Sequence, residues 1–400
     1  MEIQAVYYGG KERRSYPVGE FGVRRAKKVR VFHESFPEYE ATRLMALPAL
    51  SERLGVGGIY VKDESTRFGL NAFKVLGGSY SIGRCIAERL GILEAELTFG
   101  RLSDWEVRKR LEPLTFVTAT DGNHGRGVAW TAGRLGAKSV VLMPKGSAAE
   151  RLGNIRALGA DARITDWNYD DTVREAKRLS EEKGWLLVQD TAWEGYEKIP
   201  TWIMQGYTTM ALEAAEQLTA EKIRPTHIFL QAGVGAMAGA VTGFFMDYYG
   251  TGKRPVIAVV EPDQADCIFR TAKASDGKLH FVTGEMNSMM AGLCCGEPCT
   301  IGWKILEAYA DHFISISDRI AAKGMRLLAK PMGIDPLIVS GESGAATIGT
   351  VAEILENGAY AQLKEKLGLD ETSQILCIST EGDTDKENYC RIVREGLDPA

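Results

Sequence analysis

Short apolar runs alternate with longer amphipathic stretches along most of the chain. The runs are rich in β-branched residues, and several are followed by stretches with apolar residues at helical spacing. Strands that alternate with helices of this length indicate parallel βαβ units. The predicted strands are LTFVTA (114–119), SVVLMP (139–144), ARITDW (162–167), WLLVQD (185–190), THIFLQ (226–231), VIAVVEP (256–262) and QILCIST (374–380).

Glycines mark the ends of several predicted helices. Gly136, Gly159 and Gly184 each stand between an amphipathic stretch and the next apolar run. A glycine at this position typically adopts the left-handed conformation that caps a helix. The charged region 87–113 predicts one or two further helices with a solvated face.

The length of the chain predicts more than one hydrophobic core. Four hundred residues exceed the size at which a single core usually stops growing. The compact series of βα units in residues 81–194 predicts a small domain, and residues 1–80 plus 195–400 predict a large one. We therefore expect an α/β fold of two doubly wound open-sheet domains, with the active site in the cleft between them.

Composition and charge narrow the classes of partner. Hydrophobic residues make up 45% of the chain and charged residues 25%, as in an ordinary globular protein. The net charge is -5 and the basic residues are scattered, so we expect no nucleic-acid partner. No apolar stretch approaches the ~20 residues of a membrane helix, and the first residues lack the apolar core of a signal peptide. The expectation is a cytoplasmic protein with no membrane partner.

The seven cysteines are too few and too irregular for a disulfide scaffold in a chain of this length. The CCGEPC run at 294–299 lacks paired C-x-x-C spacing and a nearby histidine, so we predict no metal site. A pair between Cys267 and either Cys294 or Cys295 stays open. A monovalent cation held by backbone carbonyls, which would leave no motif, also stays open.

A glycine-rich loop, FLQAGVGAMAGAV (229–241), joins a predicted strand to a predicted helix. Glycines allow backbone amides to approach an anion, and the helix N-terminus adds favourable partial charge, so we predict a phosphate there. Glu261, at the end of the next strand, would suit the ribose of a dinucleotide. However, the spacing G-x-G-x-x-x-G differs from the dinucleotide fingerprint. Glycines that serve only helix packing are the remaining interpretation.

Two further turns follow predicted strands. TATDGNHGRG (118–127) presents Asn123 at the start of a helix, beside Asp121, and LCISTEGDTD (376–385) presents Thr380. The carboxyl ends of strands in open α/β sheets face the binding crevice, so these turns and the glycine loop predict one shared site. Asp121 also has the simpler interpretation of a helix cap.

A single lysine, Lys74, lies in the apolar segment FGLNAFKVLGG (68–78). Burial among Phe73, Val75 and Leu76 would disfavour the charged ammonium and leave a neutral, nucleophilic amine. The alternative is a lysine whose stem packs on the surface while its amine reaches water.

These motifs, in this order, resemble the pyridoxal-phosphate enzymes of fold type II from about residue 40 to 385. Within that group the chain is similar to the diaminopropionate ammonia-lyases in FGLNAFKVLGGSY, TATDGNHGRGVAW, VQDTAWEGYEKIP, MAGLCCGEP and STEGDT. The resemblance implies pyridoxal 5'-phosphate as cofactor, an amino acid as substrate and a homodimer. It also implies that Lys74 binds the cofactor covalently, that Asn123 meets its phenolic oxygen and that Thr380 meets its pyridine nitrogen. The cofactor-binding residues are then Phe73, Lys74, Asn123, Gly233, Val234, Gly235, Ala236, Met237, Gly239 and Thr380.

Two acids separate this chain from the serine and threonine dehydratases in the group. Asp121 stands where those enzymes carry a neutral residue, and Asp190 ends the run WLLVQD. Two acids suit a substrate with two amines, although Asp190 could also be a turn cap. The expected reaction is α,β-elimination of D- or L-2,3-diaminopropionate to pyruvate and two ammonia. Lys74, Asp121 and Asp190 are the predicted catalytic residues, with Lys74 the base for the L-enantiomer and Asp121 the base for the D-enantiomer.

Three other functions stay open at this point. A serine or threonine dehydratase, or a β-replacement synthase, would use the same fold and cofactor. A nicotinamide-dependent oxidoreductase would use the glycine loop and Glu261. A protein that binds the cofactor without turnover would act through partners.

Overall fold

The computed structural model describes residues 2–9, 15–120, 122–250, 252 and 254–399. Strands are Ile3–Tyr7 (β1), Arg43–Ala46 (β2), Gly58–Asp63 (β3), Thr115–Ala119 (β4), Lys138–Met143 (β5), Asp161–Ile164 (β6), Leu186–Leu187 (β7), His227–Gln231 (β8), Val256–Pro262 (β9), His312–Ile316 (β10) and Gln374–Ser379 (β11). Helices before β8 are Val23–Glu34 (α1), Pro48–Leu54 (α2), Val75–Leu90 (α3), Phe99–Ser103 (α4), Trp105–Leu111 (α5), Asn123–Leu135 (α6), Ala149–Arg156 (α7), Tyr169–Lys183 (α8) and Lys198–Ala220 (α9). Helices after β8 are Ala236–Tyr249 (α10), Cys267–Ala274 (α11), Thr300–Tyr309 (α12), Asp318–Ala329 (α13), Glu342–Glu356 (α14), Ala361–Leu367 (α15) and Lys386–Tyr389 (α16).

The larger sheet has the strand order β1-β10-β9-β8-β11-β3-β2. Its five central strands run parallel, and the two edge strands β1 and β2 run antiparallel to their neighbours. Every residue of β8 and β10 is buried, which explains why β8 could be recognised as a continuous apolar run. Helices cover both faces of such a sheet and leave the carboxyl ends of its strands for the site.

The smaller sheet has the order β6-β5-β4-β7, and all its strands are parallel. Its strands come from the consecutive βα units between residues 115 and 187. The prediction of an α/β fold with two open, mainly parallel sheets is confirmed. The domain boundaries at 80/81 and 194/195 stay a prediction.

Several predicted helix ends agree with the structure. Gly136 and Gly184 are left-handed caps of α6 and α8, with φ of 81° and 68°. Gly159 also has positive φ, 86°, but it lies in the turn after α7, whose cap is Ala157. In the charged region 87–113 the structure places the end of α3, then α4 and α5.

Most of the long helices are buried rather than amphipathic at the surface. Most residues of α9 and α10 are buried, and α9 packs against both α3 and α10. In the described part of the chain, no helix combines the length and the apolar character needed to cross a membrane.

Candidate active site

A cavity lies where the carboxyl ends of strands from both sheets meet, as the open-sheet pattern predicted. Asn123 comes after β4, Asp190 after β7, the glycine loop after β8 and Thr380 after β11. The lining consists of Phe73, Lys74, Asn123, Tyr169, Asp190, Tyr207, Gln231, Ala232, Gly233, Val234, Gly235, Ala236, Met237, Gly292, Leu293, Cys295, Ser343, Thr380 and Glu381. The structure thus brings together every predicted site residue except Asp121, which lies outside the described residues, and Gly239.

Lys74 immediately precedes α3, and its amine is part of an ion pair. The Nζ atom donates to Asp190 Oδ2 at 2.7 Å, and the Lys74 side chain is 17% exposed. Phe73 is buried beside it and packs on Tyr207. The predicted apolar surroundings are therefore present around the stem, but the amine itself faces an acid, which the prediction of a neutral lysine did not include.

The Asp190 carboxyl is held by groups from three elements. Tyr169, at the start of α8, donates to Oδ1 at 3.3 Å. His124 donates from Nε2 to Val188 O at 2.8 Å, which leaves its Nδ1 atom 3.9 Å from Asp190 Oδ2. Burial alone would raise the pKa of Asp190, but the charge of Lys74, the neighbouring His124 ring and the hydrogen bonds from Lys74 and Tyr169 lower it to about 2. Asp190 is thus an anion at neutral pH.

Asn123 is the first residue of α6, and its side chain is held by Glu381. The Asn123 Nδ2 atom donates to Glu381 Oε2. Glu381 also accepts from the backbone N of Ser343 at 3.2 Å and from the Thr384 hydroxyl at 3.0 Å. The start of the helix is capped by Thr120, whose hydroxyl accepts from the amides of Gly122 and Gly125.

The glycine loop turns tightly from β8 into α10. Gly235 has φ of 87°, in the left-handed region that favours glycine. A Cβ on Gly233 would lie 3.1 Å from both the Leu293 Cα and the Cys295 Sγ, so the loop backbone stays close to the 292–295 segment. The first amides of α10 have no partner within the helix, and with the loop amides they can bind an anion.

Gly239 does not line the cavity. It lies one turn into α10, where an added Cβ would come 2.8 Å from the Gly302 Cα in α12. The structure therefore places this glycine at a close approach of two helices.

Glu261 is also remote from the cavity lining. Its buried carboxylate accepts from the amides of Ile268 and Phe269 at 2.9 and 2.6 Å, so it holds the start of α11. The acid on which the dinucleotide interpretation depended is therefore already used within the fold.

Comparison with known proteins decides the family. Residues 36–379 match the family described as "Pyridoxal-phosphate dependent enzyme". The chain belongs to this family. The prediction of fold type II and of pyridoxal phosphate as cofactor is thereby confirmed.

Some members of this family share about half of their residues with the chain. The chain is 52% identical to diaminopropionate ammonia-lyase of Salmonella typhimurium over 92% of each chain. It is 50% identical to the Escherichia coli K12 protein of that name, over 94% of this chain and 93% of the relative. A solved structure of holo diaminopropionate ammonia lyase from Escherichia coli is 48% identical, with a TM-score of 0.92 and coverage of 98% of this chain and 97% of that one. The resemblance stated from the sequence is confirmed.

The residues of the cavity suit pyridoxal phosphate. A lysine amine, a glycine loop with helix amides, an amide at Asn123 and a hydroxyl at Thr380 provide one group for each functional part of the cofactor. In addition, Gln231 Oε1 and Ser343 Oγ are buried lining atoms with no hydrogen-bond partner among the described residues. Buried polar atoms normally have partners, so the cavity is built for a polar occupant.

Several lining residues were not predicted from the sequence. Gln231 lies within the glycine-rich segment, two residues before Gly233, and Glu381 immediately follows Thr380, so their positions in or beside motifs could have indicated them. Tyr169, Tyr207 and Ser343 come from the starts or interiors of helices, and no nearby motif points to them. The pair between Cys267 and either Cys294 or Cys295, which the sequence left open, is not formed, and all seven cysteines are free thiols. In the ranges the structure describes, no cluster of three His, Cys, Asp or Glu side chains is placed to hold a metal.

Proposed function

We propose that this chain is a diaminopropionate ammonia-lyase. It converts 2,3-diaminopropionate and one water to pyruvate and two ammonia. The observation that carries the proposal is the Lys74–Asp190 ion pair within the cavity of a chain that is about half identical to enzymes of that name. Glu381 adds a second carboxylate to the described lining, which suits a substrate with two amines.

Each part of the cavity has a role in holding the cofactor. Lys74 would bind it covalently, the amides of Gly233 to Met237 would bind its phosphate, and Phe73 would pack beside it. Asn123 would donate to the phenolic oxygen and Thr380 would face the pyridine nitrogen. When bound, the cofactor withdraws electrons from the substrate α-carbon, which makes the α-proton removable and the β-amine able to leave.

The side chains then control protons. Lys74, once released, can take the α-proton with its Nζ atom, from the face of the substrate on which the lysine lies. Asp190 Oδ2, 2.7 Å away, can stabilise the resulting ammonium by its negative charge. Loss of the β-amine needs a proton on that nitrogen, and the same pair can supply it. Asp121 remains the sequence-based candidate for the opposite face and thus for the D-enantiomer.

The enzyme works in the cytoplasm as a homodimer in this proposal. Both parts rest on the family resemblance and on the composition of the chain, and both can be checked directly. Light scattering of the purified enzyme gives the mass in solution, and fractionation of the source cells gives the compartment.

The decisive experiment measures pyruvate release from D- and L-diaminopropionate, L-serine and L-threonine by the purified holoenzyme. We expect kcat/KM to be highest for one or both diaminopropionate enantiomers. A preference for serine or threonine would overturn the proposal in favour of a dehydratase. Bound cofactor, seen as visible absorbance that is lost in Lys74→Ala, shows that the protein assayed is intact.

The Asp121→Ser variant separates the two substrate classes. If Asp121 serves the diamino substrate, its replacement lowers kcat/KM for D-diaminopropionate more than for serine. An equal loss for both substrates would contradict a role of Asp121 in substrate choice.

A further inference from the structure

Behind the Thr380 hydroxyl lies a buried glutamine that the proposed mechanism does not yet use. Gln231 ends β8 and Thr380 follows β11, and these two strands are neighbours in the larger sheet. Both residues line the cavity, and they are only 1% and 4% exposed. Their side chains meet directly, because Gln231 Nε2 lies 3.1 Å from Thr380 Oγ1.

The surroundings of the glutamine amide fix which end of it faces Thr380. The same Nε2 atom lies 3.0 Å from Ser343 O and 2.9 Å from Ile378 O. Backbone carbonyl oxygens can only accept hydrogen bonds, so the atom facing them must be the NH₂ group. An amide nitrogen in turn offers no lone pair to a hydroxyl. Thr380 Oγ1 is therefore the acceptor of this hydrogen bond, and its own proton must point elsewhere.

The proton of the Thr380 hydroxyl is thus available to the cavity. Within the described residues, the hydrogen bond from Gln231 is the one contact recorded for this oxygen. The backbone carbonyl of Thr380 is also held, since Phe73 N donates to Thr380 O at 3.1 Å. A hydroxyl held in this way presents a donor to whatever occupies the cavity beside it.

We propose that Gln231 is a positioning residue that fixes the Thr380 hydroxyl as a hydrogen-bond donor to the pyridine nitrogen of the cofactor. This inference rests on the proposed placement of Thr380 beside that nitrogen. A nitrogen that accepts a hydrogen bond keeps its lone pair and stays unprotonated. Gln231 therefore sets, through Thr380, the electron-withdrawing power of the cofactor ring, although it does not itself touch the reacting atoms.

The test uses holoenzyme loaded with pyridoxal phosphate that carries ¹⁵N in its pyridine ring. The ¹⁵N chemical shift distinguishes an unprotonated from a protonated ring nitrogen and does not depend on turnover. We expect the unprotonated shift in the wild type, and a pH-dependent movement toward the protonated shift in Gln231→Met. We also expect cofactor affinity to fall about 3- to 10-fold, the loss expected for one neutral hydrogen bond.

A double-variant comparison separates positioning from simple structural support. Thr380→Val removes the hydroxyl with little change in volume, and its ¹⁵N shift should move as well. In the Thr380→Val background, Gln231→Met should cause no further movement, because the hydroxyl through which it acts is gone. Gln205→Met is the matched control: Gln205 is also buried, but its amide donates to Glu20 away from the cavity. It should leave the ¹⁵N shift unchanged.

Each outcome decides a different point. An unmoved shift in Gln231→Met, when Thr380→Val does move it, overturns the role of Gln231. An unmoved shift in both variants overturns the placement of Thr380, and the inference with it, whereas the proposed ammonia-lyase function is judged separately by the pyruvate-release assay. If Gln231→Met does not fold, Gln231→Glu replaces it. A carboxyl group there offers the Thr380 hydroxyl an acceptor oxygen in place of the amide NH₂ group, which would turn its proton away from the cofactor, so the shift must again move if the inference holds.

Discussion

Asp190 determines the charge around Lys74 at the scale of single residues. With a pKa of about 2, its carboxylate is ionised throughout the range in which the enzyme would work. Because this pKa lies below the ordinary value of 3.8, the ion pair stabilises the folded chain above about pH 4, and that contribution is lost as the pH falls toward 2. The same carboxylate accepts a hydrogen bond from the Lys74 amine at 2.7 Å and favours the charged form of that amine.

The Asp190→Asn variant should be nearly inactive while still binding the cofactor. We expect kcat to fall about 10²- to 10⁴-fold, the usual contribution of a positioned acid or base. Stopped-flow and steady-state assays measure the loss, and visible absorbance reports the cofactor. Asp171→Asn is the control, since that acid is exposed and pairs with Arg174 outside the cavity. Equal kcat values for the two variants would contradict a role of Asp190 in proton transfer.

Glu342, beside the site, should make stability depend on pH. Burial, with a contribution from Glu381, raises the pKa of Glu342 from 4.5 to about 7. The ionised form therefore costs the folded state free energy, and this cost is absent below about pH 4.5 and complete above about pH 7. Glu342→Gln removes it, so the variant should be more stable than the wild type by about 1–3 kcal/mol at pH 8.

The comparison of two pH values checks the sign for Glu342. Thermal unfolding at pH 5 should show little gain for Glu342→Gln, because the wild-type side chain is then mostly protonated. The glutamine can still accept the hydrogen bond that Asn388 donates to Glu342. A gain of the same size at pH 5 and pH 8 would show that ionisation of Glu342 is not its source.

At the scale of elements, the glycine loop depends on how α10 packs. Gly239 lies where an added Cβ would come 2.8 Å from the backbone of Gly302 in α12. Gly243, one turn further along the same helix, has a less crowded position, with Phe21 Cβ at 3.3 Å. Gly239→Ala should therefore push α10 away from α12 and carry the loop with it.

We expect Gly239→Ala to lower stability by about 1–3 kcal/mol, as overpacking of a core usually does. Gly243→Ala should cost much less, since its nearest neighbour would be the Phe21 Cβ at 3.3 Å rather than helix backbone at 2.8 Å, and alanine favours the helix. Thermal unfolding of both variants, with and without added cofactor, measures the difference. A loss in Gly239→Ala that appears only in the presence of cofactor would instead indicate that Gly239 acts at the phosphate.

The elements that could be predicted from the sequence are those whose buried residues are mainly apolar. Strands β4, β5 and β6 are apolar or β-branched runs followed by glycine-capped helices, and they were recognised. Strand β3 was not, because GIYVKD ends in Lys62 and Asp63, which are charged yet buried. The charged partner of Lys62 is Glu213 in α9, 151 positions further along the chain, so no local pattern could show that burial of this lysine is possible. The Lys74–Asp190 pair was missed for the same reason: its residues are 116 positions apart.

At the scale of the whole molecule, a buried cluster of charges connects segments that are distant in the sequence. It is formed by Lys62, Glu64, Arg67 and Glu213. Arg67 donates to Glu64 Oε2 at 2.8 Å and to Glu213 Oε2 at 2.7 Å, and Lys62 donates to Glu213 Oε2 at 2.7 Å. Burial would raise the pKa of Glu213, but Arg67 and Lys62 lower it to about 2. The cluster connects β3, the turn at 64–69 and α9, and this turn leads directly to Lys74.

The two cations and two anions of this cluster have no net charge. Removing one charge should therefore lower the free energy of unfolding more than removing one cation and one anion together. Lys62→Met leaves a buried net negative charge, and we expect it to lower the free energy of unfolding by about 3–5 kcal/mol. In Lys62→Met/Glu213→Gln the net charge is zero again, and Arg67 keeps Glu64 as a partner, so part of that loss should be recovered.

Lys198→Met is the control, because Lys198 forms an exposed pair with Glu88 and such pairs contribute about 0–1 kcal/mol. Denaturant unfolding of the four proteins measures the differences. The double variant could instead be less stable than Lys62→Met by the full cost of a second lost interaction. That result would show that the cluster stabilises the fold through its individual hydrogen bonds and not through charge balance. If the double variant is more stable, the segment that delivers Lys74 to the cavity is held in place by a neutral set of buried charges.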